Sequence, residues 1–320
     1  MAAPERDELR GETIDGRYLI GARLGIGGTG VVFDATRLSD GREVAVKTLR
    51  PCFLDHPDLG RRLRREAEVA RAVTHPGIVP VLDDGTLQDG SPYIVMERVY
   101  GESLSRLILR LGTLDPDLTA AIAIRVAAIL HSVHRHGYTH RDVKPEHILF
   151  DRTSSGELTV RLLDFGVCAS PTAPPDERAR ENGRVYGTPS YVSPEQASGN
   201  PDVDGRADLF SLGIVMFEAL TGRLPFRAST VTNLLLAIIR EDAPRVGLVA
   251  PHVSRELDVV VARALARHPE DRFASPRALA RALAPHVGQR RLTENRLAEI
   301  LRVSRPVSDL APTVPDLVAA

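Results

Sequence analysis

His140-Arg141-Asp142-Val143-Lys144-Pro145-Glu146-His147 is followed, after the apolar run Val160 to Leu163, by Asp164-Phe165-Gly166. The two carboxylates, Asp142 and Asp164, fall on neighbouring loops. Carboxylates so placed can divide labour, one orienting an attacking hydroxyl and the other holding a metal ion.

Lys144 in this stretch stands out against the composition. Of 41 basic residues, 39 are arginine and only Lys47 and Lys144 are lysine. Where arginine serves for most cations, a retained lysine marks a place that needs a compact ammonium rather than a planar fork.

The other lysine closes the apolar run Val44-Ala45-Val46-Lys47. A lysine on a buried strand needs an anion. Glu66 is the natural carboxylate, because it lies near the Leu63, Ala67, Ala70 stripe of a helix predicted over Leu59 to Val73, while Glu68 points away. Upstream, Gly25-Ile26-Gly27-Gly28-Thr29-Gly30-Val31-Val32 reads G-x-G-x-x-G-x-V. Glycines let backbone approach phosphate oxygens closely. The same glycines open dinucleotide folds, where a helix follows; here Val31-Val32-Phe33 continues as strand, which fits a hairpin flap better.

Strand patterns at Leu19 to Leu24, Val31 to Leu38, Glu43 to Leu49, Ile78 to Leu82 and Tyr93 to Val99 precede helical ones. The helical patterns run over Leu118 to His136, Ala207 to Leu220, Thr230 to Ile239 and Ser254 to Ala266. A strand-rich half before a helix-rich half gives two lobes of an α+β chain. With 41 basic against 42 acidic residues, no overall basic field points to nucleic acid. The longest apolar stretch, Ala120 to Leu130, is broken by Arg125 and falls short of the roughly 20 residues of a membrane span. The first residues are too charged for a signal peptide, and Cys52 and Cys168 cannot form a disulfide framework. The expectation is a soluble, cytoplasmic protein without a membrane span. Oligomeric state is not legible.

The Gly-loop, VAVK, HRDVKP, DFG and Ser193-Pro194-Glu195, in this order and spacing, resemble the bacterial, eukaryotic-like serine/threonine protein kinases. Both lysines would land on the two motif positions by chance about once in 800 draws, which strengthens the resemblance from within this sequence. The resemblance implies a bilobal fold: an N-terminal extension over 1–16, a small, mostly antiparallel β lobe with one helix over 17–98, a mainly helical lobe over 102–284, and a tail over 285–320 with an amphipathic helix Thr293 to Val303. It also implies ATP and magnesium as cofactors and proteins as substrates. Gly25, Gly27 and Gly30 would cover the phosphates, with Val32 and Ala45 in the nucleotide pocket. Lys47 would hold phosphates and pair with Glu66. Met96 would back the adenine, Glu97 to Val99 would bind it through backbone, and Glu102 would reach the ribose. Asp142 would be the catalytic base, Lys144 would neutralise the transferred group, and Asp164 would hold the metal. Glu195 would pair with Arg272, and Asp208 would brace the catalytic loop.

Departures from the family pattern frame an alternative. His147 stands where an asparagine usually ligates the second metal ion, so a nucleotide-binding pseudokinase scaffold competes with an active enzyme. Imidazole nitrogen suits manganese better than magnesium, and its ordinary titration near pH 6.5 predicts an acid loss of activity there. The loop from Asp164 to Gly187 lacks threonine near Gly187-Thr188; its hydroxyls are Ser170, Thr172 and Tyr186. Arg141 could pair instead with Glu177 or Glu181. His131, His134 and His136 read as helix C-terminal residues favoured by the dipole. Cys168 reads as a free thiol, and Arg61 to Arg65 as a solvated face.

Overall fold

A computed structural model describes residues 9–27, 29–53, 56–152, 158–166, 168, 187–288 and 301. The β-branched runs of the N-terminal third form an antiparallel sheet, because alternate side chains can be buried on one face while the backbone pairs with the next strand. The strands are β1 (Thr13–Ile14), β2 (Tyr18–Ile26), β3 (Gly30–Arg37), β4 (Arg42–Leu49), β5 (Val81–Thr86) and β6 (Pro92–Glu97), in spatial order β1-β2-β3-β4-β6-β5. One face buries Phe33, Val44, Val46, Tyr93 and Val95. The other receives helix α1 (Pro57–Ala72), whose Leu63 and Ala67 pack with Leu49 and Ile94. Val32 pairs with Lys47, and Ala45 with Met96, so these four residues share the face that α1 covers.

The strand expected from Ile78 begins only at Val81. Pro80 has no N–H for a ladder, and Ile78 instead bridges to Leu162. Among the described residues, 9–71 with 79–99 form one compact unit, and 72–78 with 100–288 form the other. Residues 72–78 thus leave the lobe in which the sequence placed them. The cause is close packing at Gly77, where a Cβ would meet Ile129 at 2.4 Å.

The second unit opens with β7 (Glu102–Ser103), α2 (Leu104–Leu111) and α3 (Pro116–Arg135), followed by β8 (Ile148–Arg152) and β9 (Leu158–Leu162); β7, β8 and β9 form a small sheet. Further helices run over Arg206–Thr221, Val231–Arg240, Arg255–Ala264 and Pro276–Leu283. Ser103, Ser193, Thr230, Ser254 and Ser275 start their helices by accepting backbone N–H bonds. Arg206–Thr221 is apolar all round and buried along nearly its whole length, as a central helix must be.

α3 extends well beyond the apolar stretch Ala120 to Leu130. It is 20 residues long, and an 18-residue window of it, at a mean hydropathy of 1.3, meets the length and composition of a membrane-crossing helix. Ten of its residues, among them Leu118, Ile122, Val126 and Val133, are nevertheless buried within this unit. The helix proposed over Thr293 to Val303 lies outside the described residues except for Leu301. So do residues 1–8, Gly28, and the loop hydroxyls and acids Ser170, Thr172, Glu177, Glu181 and Tyr186.

Candidate active site

The glycine turn joins β2 to β3, with Gly25 opposite Val32 and Ile26 opposite Val31. Gly27 N–H donates to Gly30 O at 2.8 Å. A strand follows the glycines, so this is not the strand-to-helix turn of a dinucleotide fold. On β4, Lys47 Nζ donates to Glu66 Oε2 on α1 at 2.6 Å, and both side chains are largely buried. Each charge keeps the other tolerable in low dielectric. Glu68 is exposed, as its place on the helix requires.

Met96, opposite Ala45, begins the connection towards the second unit. Glu97 N–H donates to Pro80 O at 3.0 Å. Arg98 Nε lies 2.9 Å from Asp34 Oδ1, and its guanidinium also donates to the Val99 carbonyl. Glu102, on β7, is held by Arg110 at 2.9 Å.

The loop between α3 and β8 carries Asp142 and hangs from a buried carboxylate. Asp208 is fully buried and accepts the N–H groups of His140 at 2.9 Å and Arg141 at 2.8 Å. His134 Nε2 lies 2.7 Å from the same side chain. Burial works against ionising Asp208, but the His134 hydrogen bond and the nearby imidazoles outweigh it and hold the carboxyl below its ordinary value. His134 is therefore a specific partner of Asp208, not a dipole-favoured helix end. Its role was not legible because 74 residues separate the two.

Arg141 and Asp164 both adopt left-handed backbone, at φ 65° and 64°. Such conformations cost about 1 kcal/mol or more for a non-glycine residue and persist only where the surroundings enforce them. Here Arg141 is pinned on both sides: Asp208 takes its N–H, and Gln196 Nε2 donates to its carbonyl at 2.9 Å.

Asp142 is the centre of the arrangement. Its Oδ1 accepts Thr188 N–H at 2.8 Å and lies 3.0 Å from Thr188 Oγ1; its Oδ2 accepts Lys144 Nζ at 3.0 Å. Lys144 Nζ also reaches Thr188 Oγ1 at 2.6 Å. Gly187 permits this approach: at φ 103° a side chain would be strained, and a Cβ would lie 2.7 Å from Arg141 O. Burial raises the cost of charging Asp142, yet His147 and the Lys144 ammonium more than offset it, so its pKa lies below the ordinary carboxylate value. The role of Thr188 was not foreseen; only its place in Gly187-Thr188-Pro189 hinted at it.

His147 sits on the turn Pro145–His147, with Nδ1 2.9 Å from the Asp142 carbonyl and Nε2 3.6 Å from Asp164 Oδ2. Burial pushes its pKa down to about 4, against the pull of Asp164 and Asp142. The ordinary value near 6.5 therefore does not apply to this ring, and the titration expected there is corrected downwards to about 4. Among the described residues, no three His, Cys, Asp or Glu side chains converge as a metal cage. Asp164, with Gly166 N–H on its Oδ1 at 3.3 Å, and His147 instead offer two donors. A small donor set completed by phosphate oxygens and water is how magnesium is usually held, so the residues fit such an ion.

Away from the carboxylates, Arg272 pairs bidentately with Glu195 at 2.7 and 2.8 Å and lies 4.8 Å above the Phe210 ring. These contacts, with donation to the carbonyls of Arg206, Ala266 and Arg267, tie the Pro194–Ala197 turn to the central helix.

Comparison with known proteins gives a consistent picture. The family model described as protein kinase domain matches residues 18–283. A probable serine/threonine-protein kinase of Corynebacterium efficiens is 39% identical over 264 residues, covering 80% of this chain and 39% of that protein. The serine/threonine-protein kinase pkn3 of Myxococcus xanthus is 35% identical over 281 residues, covering 87% and 51%. PknH of Mycobacterium tuberculosis is 35% identical over 300 residues, covering 94% and 46%. The chain thus spans about half or less of the length of these relatives. The crystal structure of the Mycobacterium tuberculosis PknI kinase domain superposes with a TM-score of 0.67 at 30% identity, covering 87% of this chain and 98% of that one.

Proposed function

The chain belongs to the protein kinase domain family, and from that premise we propose that it transfers the terminal phosphoryl group of ATP to serine and threonine hydroxyls of protein substrates. The observation that carries this reading is the ionised, doubly anchored carboxylate of Asp142. A carboxylate offers about four acceptor sites. Thr188 fills two on Oδ1 and Lys144 one on Oδ2, which leaves Oδ2 able to accept a substrate hydroxyl. Accepting that hydrogen turns the hydroxyl oxygen towards the phosphorus and gives its proton a destination. Lys144 places a positive charge where negative charge develops.

In the same reading Lys47, steadied by Glu66, presents its ammonium to the nucleotide phosphates, and the backbone of Gly25, Gly27 and Gly30 covers them. Val32, Ala45 and Met96, on one face of the sheet, offer the adenine an apolar surface; the backbone of Glu97 to Val99 binds its edge, and Glu102 the ribose. A divalent ion, when bound, neutralises phosphate oxygens; Asp164 and His147 would hold it. The substrate class is supported by the resemblance of Lys144, two residues after Asp142, and of Gly187-Thr188-Pro189-Ser190-Tyr191 to the serine/threonine type; Lys144 and Thr188 are in contact. A signalling role in the reducing cytoplasm completes the proposal, supported by the free thiols Cys52 and Cys168.

The test is transfer from labelled ATP to a protein bearing serine, threonine and tyrosine, followed by phosphoamino-acid analysis. Phosphoserine or phosphothreonine without phosphotyrosine is expected. Label on tyrosine, or label on no residue, would overturn the reading.

A further inference from the structure

The segment assigned to the nucleotide base, Glu97 to Val99, is gripped by one of its own side chains. Arg98 Nε donates to Asp34 Oδ1 on β3 at 2.9 Å, and the same guanidinium donates to the carbonyl of Val99. The two side chains are only 20% and 36% exposed. A carboxylate on one nitrogen gives the rest of the planar fork a fixed direction, so another of its N–H groups is delivered to the carbonyl rather than to water. The Glu97 N–H is likewise spent inside the protein, on Pro80 O at 3.0 Å. Which backbone groups of this segment are engaged is thus set partly by Pro80 and partly by the Asp34–Arg98 pair.

A purine meets such a segment through its own hydrogen-bonding edge. Adenine brings one amino group and bare ring nitrogens, so one carbonyl and one N–H match it. A purine with a second amino group, at C2, needs a second carbonyl. We propose that Arg98, anchored by Asp34, is a base-specificity residue that withholds the Val99 carbonyl and so selects adenine over 2-amino purines, guanine among them. The carbonyl keeps a second lone pair, but the guanidinium charge beside it repels the positive hydrogens of an amino group. An amino group left there without a partner carries the cost of a lost hydrogen bond. The proposal rests on the nucleotide-binding reading above and goes beyond it.

The probes are ADP and 2-aminoadenosine diphosphate, which differ only in that amino group, titrated with magnesium into the full chain by calorimetry. Wild type should bind ADP at least about tenfold more tightly. Arg98→Met keeps the length of the side chain, removes its donors and should bring the ratio of the two affinities close to one. Asp34→Asn, a change away from the carbonyl, should give an intermediate ratio, because the fork loses its ionic anchor. Loosened packing alone would weaken both nucleotides together and leave the ratio where it was. Equal affinities in wild type, or the wild-type ratio retained in Arg98→Met or in Asp34→Asn, would overturn the role of Arg98 and leave the kinase reading standing. No binding of either diphosphate to wild type would overturn both.

Discussion

The N–H of Thr188 donates to Oδ1 of Asp142 at 2.8 Å, across 46 residues of sequence. The Thr188 hydroxyl has one hydrogen, which it can give to Asp142 while accepting from Lys144, so a single side chain joins the carboxylate to the ammonium. Thr188→Val keeps the shape and the backbone N–H but removes that link. It should lower kcat by about 10- to 100-fold, equivalent to ~1.4–2.8 kcal/mol, with little change in Tm. Thr188→Ser should recover most of the rate. Unchanged kcat in Thr188→Val would show that the backbone contact alone positions Asp142.

Lys47 and Glu66 meet within an enclosed space, with side-chain exposures of 14% and 8%. A guanidinium is larger, planar and cannot replace the point contact of an ammonium. Lys47→Arg should therefore leave less than about a tenth of the phosphotransfer rate in a protein that stays folded by circular dichroism. Activity above that level would contradict the role given to Lys47.

Asp208 holds two buried N–H groups and His134 at once. Asp208→Leu orphans those donors and should cost about 4 kcal/mol of stability in denaturant titration. Because the folded pKa of Asp208 lies below its ordinary value, the unfolded chain binds more protons in acid. The stabilisation is thus present above about pH 4 and lost as pH falls through the folded pKa. Asp208→Asn should flatten this acid limb; an unchanged limb would contradict the assignment.

What could be read from the sequence follows the range of the interactions. The strand runs could be anticipated from their apolar, β-branched pattern, and Glu66 from the apolar stripe on its own helix, because both depend on near neighbours. Thr188 and His134 could not, because their partners lie far away in sequence. The left-handed backbone of Arg141 and Asp164 was equally hidden: neither is glycine, and only the surrounding hydrogen bonds select that conformation. α3 shows a third limit. Composition records that a helix is apolar but not whether protein covers it, and here Leu118, Val126 and Val133 are buried in the core.

His147 gives a pH signature in stability. In the unfolded chain its ring takes up a proton near 6.5 and in the folded chain only near 4. Between those values the unfolded state holds more protons, so stability rises with pH across the window. His75, also lowered by burial, acts in the same direction. A plot of Tm against pH should be shallower for His147→Asn, because the part due to His147 is removed. An equally steep plot would place the His147 pKa near its ordinary value.

The most direct test is the initial rate of phosphotransfer in Asp142→Asn beside wild type, with nucleotide binding and Tm measured on the same samples. Asparagine can still accept from Thr188 but cannot take the hydroxyl proton. A fall of at least about 100-fold with binding and Tm retained is the predicted result. A rate within tenfold of wild type would contradict the claim that this carboxylate aims the substrate hydroxyl.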